Sequence, residues 1–242
     1  MKIFGEQVTR SVKWTAGLFG VDVVRQRNSP RHTWLALGER PFRTIIDIGA
    51  NRGQFAMEAR RRFPAATIHA LEPLPGPFRE LDAWARQQGG AVITYQVAAS
   101  DQNCAVSMNM HVDHSPSSSI LLATELNHEL HPFTKRKETV EVRADLLDSI
   151  LGGVRLDRQV LVKLDVQGVE DRVIRGASAV LADAAVVIAE VSIDVLYDGQ
   201  ATFRNVFMGL DKLGYEYVGN LDQGYAASGR VISLDAVFAR PG

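Results

Sequence analysis

Short runs of β-branched and other apolar residues recur along the chain, each followed by a stretch with helical spacing, and this alternation predicts an α/β fold. Residues 44–48, TIIDI, are apolar on both sides except for one aspartate, as a buried parallel strand requires. A glycine-bearing turn and a helix at 54–62 follow, then a second strand at 67–72 and a helix at 78–88 closed by Gly89-Gly90. Residues 92–98 form the third strand. Residues 104–112 alternate and pair with 139–143 as a small β insertion around a loop at 113–137. A short helix at 145–151, a strand at 159–166 broken only by Lys163, a helix at 170–182, a strand at 185–191 and a helix at 203–213 complete the alternation. The last two strands, 215–219 and 231–239, are joined by a glycine-bearing loop and pair antiparallel. The whole predicts a mostly parallel seven-stranded sheet ending in an antiparallel pair. It reads as one domain over 1–242, with an N-terminal helical and extended cap over 1–40 and an insertion over 102–145.

In an open parallel sheet, ligands lie outside the carboxyl ends of the strands. Asp47, Glu72, Asp101, Asp165 and Glu190 are expected at five of those ends, and a buried sheet has no other reason to gather carboxylates at one edge. The loop Gly49-Ala50-Asn51-Arg52-Gly53 opens a helix, so its amides face a positive helix end, and Gly49 and Gly53 allow close backbone approach to a ligand. It lacks the middle glycine of the G-x-G-x-x-G that a pyrophosphate needs. Asp47 suits an amino group, and Glu72 can accept hydrogen bonds from both hydroxyls of a ribose. S-adenosylmethionine carries an amino group, a carboxylate and a ribose but no phosphate.

DIGANRGQF, HALEP, the serine cluster at 117–119, VKLDVQGVEDRVIRGA, and EVS followed by LYDGQ resemble, in that order, the FkbM family of S-adenosylmethionine-dependent methyltransferases. The resemblance runs from about residue 21 to 238 and implies a class I, Rossmann-like methyltransferase fold that methylates hydroxyl oxygens on sugars, glycans or natural-product scaffolds. It implies a cofactor site of Asp47, Gly49, Asn51, Gly53, Glu72, Asp101 and Asp165, with Asp101 at the adenine amino group. Gln167 stands where the family often has an acidic residue. The general base expected for an aliphatic hydroxyl is Asp165 at the end of its strand, or His114, whose ordinary pKa lies near neutrality. The loop at 113–137 is expected to be a lid over the acceptor. Two rival readings are a non-catalytic nucleotide-binding module and an NAD-dependent oxidoreductase, the second weakened by the missing glycine.

Composition narrows the partners. A net charge of −1 lacks the basic footprint of a nucleic-acid binder. One cysteine, Cys104, excludes an internal disulfide and a multi-cysteine metal site, and the histidines of the loop match no standard zinc spacing, so no metal is expected. No apolar run approaches a membrane span and the start carries no secretory pattern, so the cytoplasm is the expected setting. The first helix, with Ile3, Phe4, Val8, Val12 and Trp14 among Lys2, Arg10 and Lys13, can either touch an anionic membrane or pack over the domain.

Overall fold

The computed structural model describes residues 15, 16, 18, 19, 37, 40–157, 159–226 and 228–241. The expected first helix and most of the helical and extended cap over 1–40 therefore lie outside the described residues. Met1–Leu35 and Ala36–Gly242 are separate units, and the first is described only at Thr15, Ala16, Leu18 and Phe19.

Within the second unit the chain runs β1 (Thr44–Ile48), α1 (Gln54–Arg62), β2 (Thr67–Leu71), α2 (Pro75–Ala85), β3 (Val92–Tyr95), β4 (Ala98–Ser100) and β5 (Cys104–His111). It continues through α3 (Glu125–Leu130), β6 (Lys137–Leu146), α4 (Leu147–Ile150), β7 (Val160–Leu164), α5 (Glu170–Arg175), α6 (Ser178–Asp183), β8 (Ala184–Ser192), α7 (Phe203–Asp211), β9 (Glu216–Tyr225) and β10 (Val231–Ala239). The main sheet has seven strands in the order β3-β2-β1-β7-β8-β10-β9. Its first five strands are parallel, and β10 pairs antiparallel with both β8 and β9. The expected seven-stranded class I architecture is the one observed.

Alternation within the central strands sorts the core. Ile46 and Ile48, Val162 and Leu164, and Val187 and Ala189 join Val173, Leu181, Val206 and Leu210 of the helices in the largest apolar cluster. Each such Val, Leu or Ile contributes roughly 1.5–3 kcal/mol by its removal from water. The intervening positions face the other way. There the register sets Asp47 of β1 beside Lys163 of β7, two charged residues in strands that are otherwise apolar.

The third strand departs from the expected run over 92–98. β2 ends at Leu71, opposite Tyr95, and the Glu72 amide then donates to the Tyr95 carbonyl as the chain turns away. Residues beyond Tyr95 have no β2 partner left, and 98–100 pair parallel with β6 in a separate three-stranded sheet, β4-β6-β5. The expected pairing of 104–112 with 139–143 is present as the antiparallel half of that sheet. The helix expected over 170–182 divides at Gly176, a position where a Cβ would stand 1.9 Å from the Ser100 carbonyl oxygen, so close packing there admits only glycine. The loop at 113–137 has structure of its own, including α3, whose Thr124 hydroxyl caps it by accepting from the Asn127 amide at 3.2 Å. Among the described residues no helix is long and apolar enough to cross a membrane, and no group of three or more His, Cys, Asp or Glu can hold a metal ion.

Candidate active site

The carboxyl ends of β1, β2 and β7 open into a cavity of about 260 Å³, just under the ~300–1,000 Å³ usual for small-molecule sites. Asp47 lies at its floor, 0% exposed, and neither carboxylate oxygen has a hydrogen-bond partner. Burial raises its pKa to about 6; Lys163 opposes that shift and Asp165 adds to it.

Glu72 is held at the neighbouring strand end. Its Oε2 accepts from the Asn51 amide at 2.9 Å and its Oε1 from the Leu74 amide at 2.8 Å. Burial raises its pKa to about 7 against the pull of those amides, with Asp47 and Asp165 reinforcing the rise. The Asn51 amide reaches Glu72 because Asn51 adopts a left-handed backbone (φ 48°). Its side chain also bonds the Ser115 hydroxyl at 3.1 Å, linking the loop after β1 to the insertion.

The third wall is an ion pair. Lys163 Nζ donates to Asp165 Oδ2 at 2.6 Å and lies 5.5 Å from the centroid of the Phe55 ring. Burial alone would lower the Lys163 pKa, but Asp165 above all, then Asp235, Asp47 and Glu190, push it up, so the ammonium stays charged. Burial would raise Asp165, and Lys163, Glu190 and Gln167 together hold it well below the usual carboxylate range. Gln167, also left-handed (φ 54°), donates from Nε2 to Asp165 Oδ1 at 2.8 Å and to Glu190 Oε2 at 2.7 Å. Its side-chain Oε1 accepts from the Tyr197 hydroxyl at 3.1 Å.

Over this floor stand Val106 and Met108 of β5, Ala144 of β6, and Ser115, Pro116 and Ile120 of the loop that follows β5. Ser119, fully buried, donates to the Gln167 carbonyl at 2.7 Å and ties that loop down.

Of the residues expected from sequence, Asp47, Gly49, Asn51, Glu72 and Asp165 line the cavity, whereas Gly53, Asp101 and His114 do not. Asp101 turns outward into an ion pair with Arg175 at 2.9 Å. His114 is exposed, its ring 4.5 Å from that of Phe133 and its Nδ1 2.9 Å from the Ser117 hydroxyl. Packing within the protein itself also calls for these two glycines. A Cβ on Gly49 would lie 1.8 Å from the Asp165 carbonyl oxygen, and one on Gly53 would lie 3.0 Å from Leu81, so their clearance is filled by the protein itself. The loop amides are likewise engaged: those of Gly49 and Ala50 donate to the Leu71 carbonyl and that of Gly53 to the Ala50 carbonyl. Glu190 lies behind Asp165, outside the cavity lining. Sequence reasoning gave no role to Lys163, Ser115 or Tyr197. A lysine inside a buried strand, two residues before an aspartate, was the available signal for the first.

Residues 47–217 match the Methyltransferase FkbM domain. The chain is 27% identical over 156 residues to the 31-O-demethyl-FK506 methyltransferase FkbM of Streptomyces tacrolimicus, covering 57% of this chain and 60% of that protein. It is 27% identical over 199 residues to the 2-O-methyltransferase NoeI of Sinorhizobium fredii, covering 78% and 79%. The chain thus spans about three fifths of the length of some curated relatives that it matches. The crystal structure of the methyltransferase FkbM from Methylobacillus flagellatus KT superposes with a TM-score of 0.51 at 11% identity, covering 82% of this chain and 44% of that one, a likeness of fold. The domain match takes in well over half of the chain, which belongs to the FkbM family of S-adenosylmethionine-dependent methyltransferases.

Proposed function

We propose that this protein transfers a methyl group from S-adenosylmethionine to a hydroxyl oxygen of a small-molecule or glycan acceptor. The observation that carries the reading is Asp47: a fully buried carboxylate with no hydrogen-bond partner is costly unless a cation or donor arrives to meet it. The amino group of S-adenosylmethionine is such a donor. Glu72, already accepting one backbone amide on each oxygen, keeps its remaining lone pairs for the two ribose hydroxyls. The donor supplies an electrophilic methyl on a sulfonium, and the three carboxylates of the cavity against one ammonium favour that positive charge.

Asp165 is the proton acceptor in this reading. Its pKa makes it a weak base toward a resting alcohol. The hydroxyl becomes strongly acidic only as the new O–C bond forms, so an ionised and fixed carboxylate meets the need. Holding acceptor and donor in line supplies the rest, and the apolar roof excludes water from the path. His114 acts through position, by steadying the turn that carries Ser115 and Pro116 to the cavity. Two relatives whose names specify methylation of oxygen support oxygen as the target here.

The test is incubation with tritiated S-adenosylmethionine and fractionated metabolite and glycan extracts, with calorimetry run alongside. Label in a hydroxyl-bearing product, together with at least a tenfold affinity loss in Asp47→Asn, is expected. Binding without transfer to any fraction would favour a binding module instead, and titration by nicotinamide dinucleotide in place of S-adenosylmethionine would favour an oxidoreductase.

A further inference from the structure

Asp165 and Glu190 form a two-carboxylate unit that the methyl transfer as written uses only in part. Gln167 Nε2 bridges them, 2.8 Å from Asp165 Oδ1 and 2.7 Å from Glu190 Oε2, and holds the two carboxyls side by side where they can share a proton. Lys163 bonds Asp165, and Asp165 is therefore the ionised member. Glu190 is pushed well above the usual carboxylate range, first by the Asp165 charge and then by burial, with Asp235 adding and Lys163 opposing; it holds the shared proton. The two members also face different ways. Asp165 lines the cavity, whereas Glu190 lines a separate cleft with Asp222, Ser233 and Asp235 at the ends of β9 and β10. Glu170, of α5, and Gln200 approach it from the third side.

We infer that Glu190 is the outlet for the proton released in methyl transfer, exchanging it with Asp165 on one side and with solvent in the β9–β10 cleft on the other. This rests on the reading of Asp165 as proton acceptor. The acceptor oxygen bonds the methyl carbon through a lone pair, and the carbon–sulfur pair stays with sulfur. The hydroxyl proton moves to Asp165, its bonding electrons remaining on the oxygen. Both carboxyls are then neutral beside a charged Lys163. Glu190 gives its proton to water in the cleft, the Asp165 proton crosses to Glu190, and the pair returns to its starting state with one proton released. Glu190 touches neither donor nor acceptor, so it is a relay and positioning residue.

Glu190→Gln separates this from a structural role. The amide keeps a donor toward Asp165, as the protonated acid does, but cannot take up and release a proton. With tritiated S-adenosylmethionine and the extract fraction that the wild type labels, kcat is expected to fall at least tenfold at neutral pH, with the calorimetric affinity for S-adenosylmethionine unchanged within about twofold. The deficit is expected to shrink as the pH is raised and hydroxide removes the Asp165 proton directly. Ser233→Val, which narrows the cleft without touching the pair, is expected to give the same pattern, and it carries the test if Glu190→Gln fails to fold. Wild-type turnover at every pH in a folded variant overturns the relay. A wild type that binds S-adenosylmethionine and labels no fraction overturns the methyltransferase reading itself, and the relay with it.

Discussion

Replacing Glu72 by glutamine costs both stability and cofactor binding, and the pH decides how far the first is felt. In the folded protein Glu72 keeps its proton to about pH 7, against a reference value of 4.5. A shift of that size, at ~1.4 kcal/mol per unit, is worth about 3 kcal/mol. The sign follows from proton counts. Between the two values the folded state binds more protons than the unfolded one, so this contribution is fully present below the unfolded pKa and is lost as the pH rises through 7. Glutamine does not titrate. It does leave one of the two amides, Asn51 or Leu74, facing its NH2 group, at a cost of about 1–3 kcal/mol at any pH. Urea unfolding without cofactor is therefore expected to show Glu72→Gln clearly less stable than wild type at about pH 5 and close to it at about pH 8, a relative change of about 2–3 kcal/mol. Calorimetry at the higher pH is expected to show cofactor affinity reduced tenfold or more, since hydrogen bonds to a charged group are worth about 1.5–3 kcal/mol. Parallel pH curves for the two proteins would refute the burial argument, and unchanged affinity in the folded variant would remove Glu72 from the ribose.

Gly49→Ala drives a Cβ into the Asp165 carbonyl and strains a left-handed position (φ 84°), so a loss of about 3 kcal/mol in thermal or urea unfolding is expected, and a wild-type melting curve would contradict the packing role. Asp165→Asn is expected to lower turnover by about 10²–10⁴-fold at saturating cofactor while leaving cofactor affinity nearly unchanged, and undiminished turnover would sink its assignment. Lys163→Met leaves the partly buried Asp165 without its counter-charge, and a stability loss of about 1–3 kcal/mol is expected from denaturant curves at neutral pH. His114→Ala is expected to raise the acceptor KM with little change in kcat or cofactor affinity; a collapse of kcat instead would return His114 to the chemistry.

The parts of the site legible in the sequence are those fixed by local chain geometry. Asp47 and Glu72 reach the cavity because a buried parallel strand can deliver its last residues to only one edge, and that edge follows from the strand–turn–helix pattern alone. The β5–β6 pairing was likewise readable from alternation. Asp101 and His114 were not, because their side chains are decided by distant partners, Arg175 and Phe133, that no local pattern announces. The packing need for Gly49 escaped for the same reason: Asp165, whose carbonyl oxygen takes the space of a Cβ there, lies far along the chain. The break in the third strand depends on where β2 ends, a property of the sheet and not of residues 92–98.

The roof joins the main sheet in a way that makes it an exchangeable cassette. β4 enters it and β6 leaves it side by side, with Ala98, Ala99 and Ser100 in register with Ala144, Asp145 and Leu146. Its entrance and exit are therefore only the width of one strand spacing apart, about 4.8 Å. A segment bounded in this way can change length away from the floor, provided that the contacts of Ser115 with Asn51 and of Ser119 with the Gln167 carbonyl are kept. The stretch from Ser100 to Leu146 is therefore the unit in which a chimera with a relative would be cut.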